Sequence, residues 1–224
     1  DVERSRGLGD VYKRQALYIL TGILSAQDII TSKREFTPVD QMLEADWYDS
    51  EEIDRTWRHA VVRRPNADTD ILQSSIEALA DEQYSGMKYP TVIYLHGCTG
   101  LWAGSFTRVE MLADAGYAVI APNSLARKKY PKSCDSGTKT GGLYRHTLKM
   151  RQQDALNAIA KAKKLAWVDA NNVFVLGFSE GGITVATMTA SMPEHDVNAR
   201  VIEGWTCHAL SLIHISEPTR PLYI

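Results

Sequence analysis

The stretch VFVLGFSEGGITVATM, residues 173–188, decides the fold. It opens on a short apolar run, Val173 to Leu176, of the kind expected for a strand buried on both faces. It closes on Ile183 to Met188, which reads as part of a helix. Between them stands Gly177-Phe178-Ser179-Glu180-Gly181, a G-x-S-x-G pattern set between strand and helix. In that context the pattern makes a sharp, strained turn that lifts a serine hydroxyl above the sheet. Gly177 and Gly181 are expected to remove bulk that would strike the neighbouring strand and helix, and Gly182 extends the close approach. Ser179 is therefore the candidate nucleophile. The backbone N–H of Glu180, at the positive end of the following helix, is expected to face a developing oxyanion.

Further strand and helix signals alternate on either side. Thr91 to Leu95 and Tyr117 to Ala121 read as buried strands, and Arg200 to Gly204 as another. Phe106 to Ala115 reads as a helix stopped by Gly116, and Leu143 to Lys164 as a long helix. This alternation predicts an α/β fold with a mostly parallel sheet flanked by helices. Ligand sites on such sheets lie beyond the carboxyl ends of the strands. Upstream the signal is weaker. Thr56 to Arg64 suggests an antiparallel edge strand, and Ile71 to Tyr84 has apolar residues at helical spacing, either a helix or a lid-like excursion. Residues 27–54 read as a loop or lead-in helix.

A second motif, His96-Gly97-Cys98-Thr99-Gly100, directly follows the strand at 91–95. A loop in this place supplies the second oxyanion donor, here expected to be the backbone N–H of Cys98. His96 and Gly97 are expected to support the loop. His96 is not the expected base, because it precedes the nucleophile, whereas the chain order is Ser, then acid, then His.

Residues 89–205 resemble the dienelactone hydrolase family of the α/β-hydrolase superfamily. The resemblance is carried by YLHGCTG (94–100), by RVEMLADAGYAVIAPNS (108–124), and by Asp154 leading into VLGFSEGG (175–182). It implies an α/β-hydrolase fold and hydrolysis of a small-molecule ester or lactone through a covalent acyl-enzyme. Two departures stand out. Founding members carry a cysteine nucleophile where this chain has Ser179, which favours a general carboxylesterase, and many relatives have an acidic residue where this chain has Asn123. A peptidase on the same fold and a non-catalytic binding protein remain the alternatives, since fold alone does not decide function.

Serine needs a general base oriented by a carboxylate. His208 ends the interpretable stretch and is one candidate base; His195 reads as part of a solvated connection, and His59 and His146 precede the nucleophile. The catalytic acid and base are expected in later strand–helix units, which would leave the chain as given incomplete for catalysis. In the loop 123–142, Arg127, Lys128, Lys129 and Lys132 form a basic run, followed by Arg145. It reads as a solvated loop, or as a border of the site where Arg127 and Arg145 would bind an anionic substrate.

The ends of the chain carry their own signal. Residues 10–15 can be written GATGTGTATAAGAGACAG, whose reverse complement CTGTCTCTTATACACATC translates as residues 210–215. Residues 1–15 and 210–224 are accordingly expected to be adapter-derived tails outside the fold. Residues 16–26 are apolar and too short to span a bilayer; they read as a signal-peptide remnant of an exported protein or as a short helix. The expected organisation is then a lead-in over 27–88 and a partial α/β-hydrolase domain over 89–209.

A net charge of -2 argues against a nucleic-acid partner, and 44% hydrophobic residues suit a globular core. Cys98, Cys134 and Cys207 show no metal-ligand spacing, and no cofactor motif is present. In an oxidising compartment a bridge between Cys134 and Cys207 would anchor the loop at 123–142.

Overall fold

The computed structural model describes residues 35–66, 70–190 and 192–205. The adapter-like tails, the apolar segment 16–26, Cys207 and His208 lie outside the described residues. The lead-in opens with two α-helices, α1 (Glu44–Trp47) and α2 (Ser50–Arg58). Asp49 starts α2 by accepting the Glu51 and Glu52 N–H groups at 2.9 and 3.2 Å. Glu51 and Glu52 in its first turn, and Arg55 and Arg58 in its last, match the helix dipole.

Next come β1 (Val61–Asn66), β2 (Asp70–Ser75), α3 (Ile76–Leu79), β3 (Tyr89–Leu95), α4 (Ala103–Asp114) and β4 (Ala118–Ala121). A small hairpin of β5 (Cys134–Asp135) and β6 (Thr140–Gly141) precedes α5 (Thr147–Ala162). β7 (Val168–Phe178), α6 (Glu180–Thr187) and β8 (Ala199–Glu203) follow.

The six-stranded sheet has the order β2-β1-β4-β3-β7-β8. β4, β3, β7 and β8 run parallel, while β1 is antiparallel to both its neighbours. This is the mostly parallel α/β sheet that the alternating elements predict. Side chains alternate between its faces with the strand period of two. Ile93, Leu95, Ile120 and Val175 join one core with Ala155 and Ile159 of α5 and Val185 of α6. Tyr94, Val119 and Leu176 turn to the other face, where Val109 of α4 covers them. Helices on both faces explain why these strands are apolar throughout rather than alternating.

Several boundaries differ from the sequence reading. β1 lies inside the sheet, and the segment from Ile71 read as a helix or a lid-like excursion begins within the edge strand β2. The free edge of β1 offered a full hydrogen-bonding ladder, registered from Val61↔Ser75 to Asn66↔Asp70, and this outweighed a weak helical period. α5 starts at Thr147 rather than Leu143, because the Leu143 N–H is tied back to the Ser133 carbonyl at 3.0 Å. α4 stops as read: Gly116 takes φ 94°, a left-handed turn that favours glycine.

The segment 123–142 is not simply a solvated basic loop. Ser124, Leu125, Ala126, Arg127, Tyr130 and Ser133 are buried. Its lysines pair with acidic neighbours, Lys129 with Asp46 at 3.1 Å and Lys132 with Asp135 at 2.6 Å. His195 is likewise buried rather than solvated. Among the described residues no helix is long and apolar enough to cross a membrane.

Candidate active site

Ser179 directly follows β7, beside the carboxyl ends of its neighbours β3 and β8. β7 ends at Phe178 and α6 begins at Glu180, so Ser179 alone makes the turn. It does so at φ 54°, ψ -115°, a conformation that costs a non-glycine residue about 1–3 kcal/mol. Two hydrogen bonds hold it there. Its N–H donates to the Glu203 carbonyl at 2.8 Å, and its carbonyl accepts from Ile183 N–H at 3.1 Å.

The glycines make the turn sterically feasible. A Cβ on Gly177 would stand 2.1 Å from the Gly181 carbonyl oxygen, and one on Gly181 would stand 2.1 Å from the Leu95 carbonyl oxygen. Gly182 is less crowded, with the Glu203 carbonyl oxygen 3.0 Å away. The N–H groups in the first turn of α6, that of Glu180 included, have no intrahelical acceptor and carry the positive end of the helix dipole.

The loop after β3 lies beside this turn. A Cβ on Gly97 would be 3.5 Å from the Ser179 Cβ and 3.3 Å from the Phe178 ring. The loop closes on itself through Gly100 N–H to the Gly97 carbonyl, 3.1 Å. His96 is fully buried beneath it. Its Nε2 accepts the Ser124 N–H at 3.1 Å, so the proton of the neutral ring sits on Nδ1 and donates to the Gly97 carbonyl at 2.6 Å. Burial first, and then the Arg151 charge, push the His96 pKa down to about 3. A neutral, doubly bonded ring braces this loop and does not exchange protons near neutral pH.

Beyond Gly97, Cys98 forms a disulfide with Cys134 at the start of β5. The partner of Cys134 is thus Cys98 and not Cys207, a correction that follows from the fold: the loop at 123–142 doubles back over the end of β3.

Three polar groups below the turn, Arg151, Tyr130 and Asp154, were given no role in the sequence reading. Arg151 of α5 donates through Nη1 to Glu180 Oε1 at 2.9 Å, and through Nη2 to the His96 carbonyl. Tyr130 donates its hydroxyl to the same Glu180 oxygen at 3.4 Å, and burial followed by the Glu180 charge keeps its phenol protonated. One turn along α5, Asp154 takes a two-nitrogen contact from Arg127, at 2.6 Å from Nη2 and 3.1 Å from Nε. Arg127 also donates to the Asp46 carbonyl at 2.9 Å. It is buried and fully engaged, so it does not border a substrate surface as the sequence suggested. Arg145 is exposed. The signal for Arg151 and Asp154 was in the sequence, as two charges on the helix stripe shared with Met150, Ala155 and Ile159.

At the far side, Arg108 pairs with Glu203, with an Nε–Oε2 distance of 2.8 Å, and stacks 4.1 Å above the Phe178 ring. That bond holds the Glu203 carboxyl below its ordinary range. Among the described residues, no hydrogen bond joins the Ser179 hydroxyl to a histidine, and no acidic, histidine or cysteine cluster could hold a metal ion. His146 stacks on Trp47 at 4.2 Å, and His59 caps α2.

The model of the dienelactone hydrolase family matches residues 76–203, more than half of the chain. The chain belongs to the dienelactone hydrolase family. The match runs from α3 to the end of β8, and so includes the glycine-bracketed turn and the loop after β3. With this membership, the sheet order and the flanking helices are those of an α/β-hydrolase fold.

Solved structures similar to this dienelactone hydrolase family member include a protein from Klebsiella pneumoniae subsp. pneumoniae described as a dienelactone hydrolase. It is 21% identical, with 53% of this chain and 49% of that one covered and a TM-score of 0.38. A dienelactone hydrolase-like promiscuous phosphotriesterase from metagenomic libraries is 18% identical over 60% of this chain and 64% of its own, with a TM-score of 0.39. A thermophilic esterase from the planctomycete Thermogutta terrifontis is 16% identical over 64% of this chain and 46% of its own, with a TM-score of 0.38. The chain spans less than two thirds of each of these proteins. No curated protein matches it in sequence.

Proposed function

We propose that this chain carries the nucleophile half of a serine hydrolase that cleaves a small carboxylic ester or lactone through an acyl-enzyme on Ser179. The observation that carries the reading is the strained backbone of Ser179, at φ 54°, set between a strand end and a helix start with Gly97 beside it. Strain of this kind persists only where surrounding contacts enforce it, and it clusters at functional sites.

In this reading the Ser179 Oγ attacks the substrate carbonyl carbon and its proton passes to a general base. The carbonyl oxygen becomes an oxyanion received by the backbone N–H groups of Cys98 and Glu180. Collapse expels the alcohol, which takes the proton from the base, and leaves the acyl group on Oγ. Water, activated by the same base, then releases the acid. The base and its carboxylate partner come from residues outside those described, following the order Ser, acid, His.

Family membership supports ester or lactone chemistry, and Ser179 in place of cysteine favours a general carboxylesterase. The Cys98–Cys134 bridge supports an exported protein, because disulfides persist in oxidising compartments. The test is hydrolysis of short acyl esters, lactones and peptide amides by the full-length protein. Ester or lactone turnover that disappears in Ser179→Ala is expected. Turnover of peptide amides alone, or esterase activity that survives Ser179→Ala, would overturn the reading.

A further inference from the structure

Arg151 touches both segments that flank Ser179. Glu180, which it binds through Nη1 at 2.9 Å, opens α6 directly after the serine. His96, whose carbonyl it binds through Nη2, stands two residues before Cys98 on the other side. These segments leave the neighbouring strands β7 and β3, which are paired as far as Leu95↔Gly177; beyond that pair their spacing depends on packing, such as Gly181 against Leu95, and on groups that reach both. A guanidinium suits that task, because its nitrogens form a rigid planar fork.

The surroundings leave the fork little freedom. Arg151 is fully buried, so neither water nor salt weakens its contact with Glu180 as at a surface. Tyr130 holds the same Glu180 oxygen at 3.4 Å. His96 is pinned on its far side by the Ser124 N–H at 3.1 Å, so the carbonyl that Arg151 grips belongs to a residue that cannot swing. The Glu180 side chain therefore faces down into this network while its N–H stays at the start of α6.

We propose that Arg151 is a positioning residue whose guanidinium, held between Glu180 and His96, sets the spacing of the Glu180 and Cys98 N–H groups around the oxyanion. The proposal rests on the reading of Ser179 as an acyl-transfer nucleophile. Oxyanion donors act by standing where charge develops, so a small displacement lowers kcat while leaving ground-state binding almost unchanged.

The test uses the full-length protein with Glu180→Gln, Arg151→Lys and Arg151→Met. Rates are expressed per active site after titration with a fluorophosphonate. The expected result is a kcat for a short acyl ester about 10- to 100-fold lower, with KM changed by less than about threefold. Affinity for an alkyl boronic acid, which adds Ser179 Oγ to become a tetrahedral anion, falls by the same factor as kcat. Arg151→Lys keeps the charge without the fork and does not restore the parent rate. If Arg151 variants fail to fold, Glu180→Gln decides, since the Glu180 side chain is 12% exposed and keeps its shape. A kcat and boronate affinity per titrated site within about twofold of the parent in folded Glu180→Gln would overturn the proposal. Absence of labelling or ester turnover in the unmutated protein would instead overturn the nucleophile reading, and this proposal with it.

Discussion

Gly181 lies so close to Leu95 that a Cβ on it would stand 2.1 Å from the Leu95 carbonyl oxygen. Leu95 ends β3 and leads into the loop from His96 to Gly100, while Gly181 belongs to the first turn behind Ser179. One backbone contact thus fixes how near the loop and the turn can come. The obstacle on the other side is backbone rather than a flexible side chain, so it cannot move aside. Gly177→Ala and Gly181→Ala are each expected to destabilise the full-length protein by about 3 kcal/mol, and Gly141→Ala, with open space around it, by no more than about 0.5 kcal/mol. Urea unfolding of the three variants checks this. Equal midpoints would mean that the turn is not packed as described.

The Cys98–Cys134 bridge closes a segment with a sequence separation of 36. On chain-entropy grounds, replacing both cysteines by alanine is expected to cost about 3–4 kcal/mol in urea unfolding. A peptide map without reductant is expected to recover the two cysteines in one linked species. A species linking Cys134 to Cys207 would contradict the described pairing.

His96 contributes a pH dependence whose sign is fixed by its burial. Its pKa falls from 6.5 in the unfolded chain to about 3 in the fold. Between those values the unfolded chain binds the proton and the folded one does not, so stability rises with pH and is lost as pH falls from 6.5 toward 3. From pH 6.5 to about pH 5, before most carboxylates titrate, the slope from this group is at most about 1.4 kcal/mol per pH unit. His96→Gln is expected to flatten the measured slope in that range. An unchanged slope would mean that His96 is not buried as a neutral base.

Asp154 and Arg127 are both buried, at 1% and 0% side-chain exposure. Asp154→Ala is expected to cost about 3–5 kcal/mol, because it strands the Arg127 charge away from water. Joint replacement of the pair by apolar residues of similar volume is expected to cost less than the single change. Thermal or urea unfolding of both variants measures the difference, and equal losses would argue against a desolvated pair.

The sheet and the turn at Ser179 were legible because their signals are local. Apolar runs at 91–95 and 173–176 fall in β3 and β7, the run at 117–121 overlaps all of β4, and glycines flank a serine between strand and helix. What escaped depends on contacts distant in sequence. β2 is a strand because β1 presented an unpaired edge, not because of its own pattern. Arg127 reads as one of several loop cations, and only the approach of Asp154, 27 positions later, makes it an interior residue. Cys98 finds Cys134 because the 123–142 segment folds back over the end of β3. The link from Arg151 to Glu180 and His96 spans three elements, and no spacing rule announces it.

The most direct test of Ser179 as a nucleophile is labelling of the full-length protein with a fluorophosphonate, followed by mass mapping of the modified peptide. A single adduct on the Ser179 peptide, absent in Ser179→Ala, is the predicted result. No adduct, or one that persists in Ser179→Ala, would contradict it and leave the turn as a structural feature of a non-catalytic fold.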